Sequence, residues 1–410
     1  MDAFLDGWSR AASTSVGLFW TALWAFAFGY LVSSLIQVLV TRERMRRAMG
    51  ESGPASVATG TVFGFLSSSC SFAALSTTRA LFAKGAGLVP SLAFLLASTN
   101  LVIELGIVIA IFLGWQFVVA EYVGGLLMIA IAWAFVSATR PRNLVRRVRE
   151  KLSEDASDGV GDDVSWRERI TSLAGWRLVA TRYVMEWRMV WKDVLIGFTV
   201  AGAISAFVPA AFFESLFVGS GAADGGEPSF WEVVAQTLVG PVAAFFTFIG
   251  SMGNIPLAAI LHENGVSFAG VMAFVFSDLV VLPVTRINAR YYGWKFAGYV
   301  ALTLLVCLTV AAIAVHELFS AFGELPESVA RGSIESRDFF ALDVGFGLDV
   351  VSLAASAALV ALWWTGRESD GEGGGESGDP SLLGRITTSV CALAALWLVG
   401  GLVVPHLAAS

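Results

Sequence analysis

The chain has 410 residues, of which 56% are hydrophobic and only 14% charged, with a formal net charge of −7. Soluble domains carry about 25% charged residues, so this balance, with a mean hydropathy of +0.73, excludes a soluble globular domain, and no nucleic-acid partner is expected. Cys70, Cys307 and Cys391 stand in separate apolar segments without CxxC spacing, which excludes a disulfide framework and a structural zinc site.

Taken in chain order, apolar runs fit to cross a bilayer fall at 17–40, 88–113, 115–139, 193–217, 267–285, 296–318, 345–366 and 386–408. Each crossing needs about 20 residues. The first run is too long for a signal peptide and has no cleavage pattern, so it is expected to be retained. Two further segments, 53–84 and 231–263, are apolar but interrupted, at "SSSCS" (67–71) and "GSMGN" (250–254). Gly240-Pro241 gives the second a place to bend. The expectation is an all-α, polytopic integral membrane protein with about eight full spans plus two re-entrant or broken hairpins.

Basic loops should face the cytoplasm. "TRERMRR" (41–47), "RPRNLVRRVREK" (140–151) and "RINARYYGWK" (286–295) are therefore placed inside, and the Arg-free loop 219–230 and acidic loop 323–344 outside. The N-terminus is then extracytoplasmic. Segment 48–139 begins and ends inside, and spans 88–113 and 115–139 already supply an even number of crossings. The arms of 53–84 would each reach roughly 20 Å, against a hydrocarbon core about 30 Å thick. A re-entrant hairpin fits better than two crossings. Arginine outnumbers lysine 22 to 4, and together with acidic, Gly-rich loops this points to the cell membrane of a prokaryote.

"KGAGLVPSLAFLLAS" (84–98) aligns with "NGVSFAGVMAFVFSD" (264–278) at an offset of 180, and "GWQF" (114–117) with "GWKF" (293–296) at 179. The expected organisation is a first membrane repeat (1–139) and a cytoplasmic basic loop (140–192), whose second half reads as an amphipathic surface helix. A second, inverted repeat (193–318) and an outer acidic loop (319–344) follow. Two peripheral helices close the chain (345–410), joined by a flexible linker at 367–384. Inverted repeats with broken helices meeting near the midplane are characteristic of secondary transporters.

At the tips, Ser69 or Ser71 suits the N-cap of a return helix, and Asn254 would cap a helix with Pro256 in its first turn. Two such N-termini favour an anionic or electron-rich ligand. Ser69, Cys70, Ser71, Asn100, Gly253, Asn254 and Pro256 are the candidate substrate-binding residues. The plainer alternative is a serine-rich kink whose hydroxyls bond back to the helix. Acids at membrane depth are functional candidates. Glu104, with Asn100 one turn before it on the same face, and Asp278 are therefore read as proton-relay or coupling groups. An ion pair with Arg79 is the structural alternative. His262 and Glu263 are read as loop residues near the outer surface. No catalytic residue, cofactor or metal ligand set is expected.

These residues resemble the predicted permeases that include the methylarsenite-efflux (ArsP-like) permeases. "GNIPLAAILHENGVSFAGVMAFVFSDLVVLPVTRINARYYGWK" (253–295) looks like the second conserved block, and "SCSFAALSTTRALFAKGAGLVPSLAFLLASTN" (69–100) like the first. The resemblance implies an inner-membrane permease, in some members for trivalent organoarsenicals. Those members carry Cys-Ser-Cys in the first block, whereas this chain has Cys70-Ser71-Phe72, and one thiol cannot chelate. The partners expected are the lipid bilayer and a small-molecule or ion substrate, and a homo-oligomer is compatible. A channel or a non-transporting scaffold is the alternative to a transporter.

Overall fold

The computed structural model describes residues 2–39, 53–67, 71–83, 86–153, 171–217, 228–247, 250–326, 339–341, 344–369 and 382–408. They form helices without a strand among them. The first half runs α1 (Asp2–Leu39), α2 (Pro54–Ser67), α3 (Ser71–Ala83), α4 (Leu88–Asn100), α5 (Ile103–Phe112), α6 (Trp115–Thr139) and α7 (Arg142–Ser153). The second runs α8 (Leu173–Phe207), α9 (Ala210–Leu216), α10 (Phe230–Thr247), α11 (Gly250–Glu263), α12 (Phe268–Val275), a 3-10 turn (Phe276–Leu279), α13 (Leu282–Tyr292) and α14 (Trp294–Phe322). The last two are α15 (Val344–Ser369) and α16 (Leu382–Ala408).

Among the described residues six helices are long and apolar enough to cross a membrane, seven if α4 and α5 form one bent span. The last expected run, 386–408, falls within α16 (Leu382–Ala408), of which the stretch Thr388–Val404 is apolar.

Three expected elements take a different form. The run 88–113 is not one straight helix, since α4 and α5 meet at an angle of 42°. The run 267–285 is likewise interrupted, by the 3-10 turn and an extended Val281. Here Pro283 explains the restart, because a proline in the first turn lacks only an N–H that has no partner there anyway. The surface helix expected before residue 193 is not a separate element. Ser172 caps α8 by accepting from the Gly175 N–H at 3.1 Å, and the helix continues unbroken to Phe207. Its basic residues find partners on the C-terminal helices instead. The Arg188 guanidinium lies 5.0 Å over the Trp363 ring, and Lys192 Nζ donates to Thr388 Oγ1 at 2.8 Å.

The two halves share local geometry at the offset seen in the sequence. The Ala86 N–H donates to the Leu81 carbonyl at 3.1 Å, and the Val266 N–H to Leu261 at 3.1 Å. Gly114 and Gly293 precede α6 and α14 with φ of 97° and 86°, a region that disfavours side chains. Both broken helices restart from an extended valine, Val102 with ψ 143° and Val281 with ψ 154°.

Corresponding helices of the two halves pair antiparallel. In the α1–α8 pair, Phe19 meets Phe198 and Tyr30 meets Trp187. In α6–α14, Trp115 meets Phe319 and Thr139 meets Tyr299.

Between membrane helices the hydrophobic effect adds little, so close approach through small residues carries the packing. α2 lies against α4 and α10 against α12. A Cβ on Gly60 would stand 2.5 Å from the Pro90 carbonyl oxygen, and one on Gly240 2.7 Å from that of Gly270. Both obstacles are backbone and cannot rotate away. Gly60→Ala and Gly240→Ala should each destabilise the detergent-solubilised protein by about 1–3 kcal/mol. Gly298→Ala, inside α14 with nothing within 4 Å of the added carbon, should not destabilise the protein and should raise its stability by up to about 1 kcal/mol, because alanine favours a helix over glycine. Thermal unfolding of the three variants measures the difference.

Candidate functional site

The two interrupted segments form α2 up to Ser67 and α3 from Ser71, and α10 up to Thr247 and α11 from Gly250, with the residues between outside the described ones. The second tip differs from expectation. Gly250 to Asn254 are already helical, so Asn254 is not an N-cap and Pro256 lies inside the helix. Gly253 is buried in the first turn of the same helix. A proline there donates no bond to the carbonyl four residues back and leaves it free for another partner. Ser69 and Cys70 lie outside the described residues.

The two helix starts meet on one carboxylate. Ser71 Oγ donates to Asp278 Oδ2 at 2.9 Å, and Ser251 Oγ to the same oxygen at 2.7 Å. The two hydroxyls are 3.0 Å apart and 180 residues apart in sequence. Each has a single proton, so donating to Oδ2 leaves none for the other. The lone pairs of both oxygens stay free to accept. Asp278 also accepts from the Leu279 backbone N–H. It is buried in the 3-10 turn, where α12 ends. An anionic group at helix N-termini is favourable, and here the protein supplies that group itself.

The remaining candidates are spread around this junction. Asn100 is buried at the end of α4, and its Nδ2 donates back to the Leu96 carbonyl and to Thr99 Oγ1, both at 3.1 Å. Glu104 is buried one residue into α5, past the break, and so does not continue the face of Asn100. It packs on α1, where a Cβ on Gly29 would stand 2.1 Å from Glu104 Cβ. Arg79 on α3 places its guanidinium 4.6 Å over the Tyr291 ring of α13. His262 and Glu263 are buried rather than in a loop, and the His262 ring meets Phe117 edge-on at 5.0 Å.

Two residues were not among the candidates, Ser251 in the second tip and Glu121. Glu121 on α6 is fully buried, and neither carboxylate oxygen has a hydrogen-bond partner. Its signal was the one that selected Glu104, an acid well inside an apolar run. One turn on, Gly124 leaves room for the Phe276 ring and Gly125 for the Leu101 side chain. α6 thus receives residues from both broken helices. Among the described residues no three His, Cys, Asp or Glu side chains group to hold a metal.

Long apolar helices, interrupted hairpins and polar groups gathered at the breaks define a polytopic, all-α integral membrane protein. The chain belongs to the ArsP_1 family of predicted permeases, whose sequence model matches residues 8–317. It is 34% identical over 338 residues, 80% of this chain and 81% of the other, to a Mycobacterium tuberculosis protein named "Putative permease Rv2963". No solved structure matches. The family points to a multi-pass membrane permease that carries a small solute, rather than to an enzyme.

The meeting of the tips has a direct chemical check. With Cys70, Cys307 and Cys391 replaced by serine, the pair Ser71→Cys and Ser251→Cys should form a disulfide under mild oxidation. After proteolysis within 140–192 the two halves should then run together on a non-reducing gel and separate on reduction. Halves that always separate would show that the two helix starts do not meet.

Proposed function

We propose that this permease is a secondary transporter, working as an exporter of a small solute across the cytoplasmic membrane by alternating access. The observation that carries this reading is the junction of Ser71 and Ser251 on Asp278, where matching points of the two halves share one carboxylate. The antiparallel pairing of α1 with α8 and of α6 with α14 supports an inverted repeat. In such a scaffold the site lies between the halves, and rocking of one on the other alternates its exposure. The solute binds at the tips, against Ser69, Cys70, Ser71, Asn100, Gly253, Asn254 and Pro256. Asp278 and Glu104 couple its movement to an ion gradient, and the Ser71–Asp278–Ser251 junction opens and recloses in the cycle.

Substrate chemistry follows from the same junction. Asp278 already places a carboxylate at both helix starts, so a free anion would compete with it. A neutral or soft, electron-rich solute that exchanges hydrogen bonds with the serines fits better. A growth screen of a deletion strain against metalloids, metals and small organic anions identifies the solute class.

Once a solute is in hand, Asp278→Asn and Glu104→Gln should each lower gradient-driven flux at least tenfold while the purified protein elutes and melts as a folded species. Unchanged flux in both would remove the coupling role. Flux that persists after the gradients are collapsed would instead indicate a channel. Orientation has its own test. Cysteines introduced singly at residues 50 and 87 should react with an impermeant maleimide from the cytoplasmic side alone, and external labelling at 87 would sink the re-entrant hairpin.

A further inference from the structure

Glu121 has no part in the coupling scheme above, yet its surroundings are unusual for a carboxylate. α6 runs along the second broken helix, with Phe117 4.8 Å from Phe268 and Gly124 against Phe276. Glu121 lies between these contacts, facing the segment that ends at Asp278. Both its oxygens lack a hydrogen-bond partner, as do Asp278 Oδ1 and Asn254 Oδ1. Asn254 is buried one turn beyond Ser251, which binds Asp278 from α11. Three elements thus present acceptor oxygens, and no donor answers them. Burying an ionised carboxylate without a partner costs several kcal/mol. A set of oxygens only, with carboxylates among them, suits a proton or a hard cation rather than a soft metal. Two carboxylates fall short of a fixed metal centre, which accords with the lack of any group of three such ligands among the described residues.

We propose that Glu121 and Asp278, with the Asn254 carbonyl oxygen, form the site of one small monovalent cation, a proton or a dehydrated sodium ion, whose binding and release govern the serine junction. The site deepens the transport reading by naming the coupling ion's ligands. Of the other titrating groups nearby, α5 offers Glu104, α6 itself Tyr122, α11 His262, whose ring meets Phe117 one turn before Glu121, and α14 Cys307 and His316, whereas α4 and α12 have none. No lysine or arginine lies on the stretches of α4, α5, α12 or the 3-10 turn beside α6, so the protein itself brings no countercharge from those elements.

The test needs no transport, so its outcome is separate from that of the transport reading. The melting temperature of the purified full-length chain is followed from acidic to alkaline pH at fixed sodium. It is then followed over rising sodium, balanced with N-methylglucamine, at fixed pH. One of the two should move it by several degrees, pH alone identifying a proton and sodium at fixed pH a sodium ion. Glu121→Gln should abolish that dependence, and Glu317→Gln, on the exposed face of α14, should keep it. Should Glu121→Gln not fold, the unaltered protein answers: dicyclohexylcarbodiimide should modify Glu121, mapped by peptide mass spectrometry, and alkaline pH or sodium should slow the reaction. A melting temperature indifferent to both variables, a dependence surviving in Glu121→Gln, or labelling that neither pH nor sodium slows would overturn the proposal.

Discussion

A helix that starts inside a membrane exposes N–H groups where there is no water to receive them, and each unanswered polar group costs several kcal/mol. Here two helices that begin at chain interruptions, α3 and α11, turn their first residues toward Asp278. The carboxylate in turn depends on them. Without the hydroxyls of Ser71 and Ser251 it would be a buried charge held by a single backbone N–H. Each half therefore supplies what the other lacks, and neither tip makes sense alone. The small residues elsewhere serve this meeting. Gly60 and Gly240 let the hairpin arms lie against backbone, while Gly124 and Gly125 give α6 a surface that admits both broken helices.

Much of this was legible in the residues. The serine cluster marked where α2 gives way to α3, the glycine cluster proved to lie inside the first turns of α11, and depth within an apolar run singled out Asp278. The offset of 180 shows in the sequence only from residue 84 onward, and the structure extends it back to Ser71 and Ser251. What could not be read was a break without proline or glycine. Leu101 and Val102 contain neither, and the apolar run passes through them unchanged. Just before them the side chains of Ser98, Thr99 and Asn100 bond back to helix carbonyls, and beyond the break Leu101 lies against Gly125 and Glu104 against Gly29. The corresponding break before α13 has Pro283 as a visible mark, and its match in the first half has none.

The long α8 was misread for a related reason. Arginine, lysine and tryptophan in helical spacing look like a helix lying on a membrane surface. The same pattern serves a helix that enters the bilayer when neighbours receive the charges, as Trp363 does for Arg188 and Thr388 for Lys192. The helices α15 and α16, which carry few polar residues, are thus more than lipid-facing additions. Asp349 of α15 is buried and accepts from the Trp24 N–H of α1 at 2.9 Å. That bond ties the C-terminal pair to the first span, and the α8 contacts tie it to the second half.

The two halves repeat in backbone but not in chemistry. Ser98 stands where Asp278 would recur, and its hydroxyl only bonds back to the Leu95 carbonyl at 3.0 Å. Val300 stands where Glu121 would recur, buried and apolar. Under alternating access, identical halves would make the inward and outward states mirror exchanges of equal energy. Acids placed on one side of each pairing remove that equality. Glu104 and Glu121 belong to the first half and Asp278 to the second, so in the cycle proposed above rocking would change the environment of each acid in a way that no partner compensates. Ion binding would then favour one arrangement of the halves over the other, while the direction of net transport would still be set by the gradient that drives it.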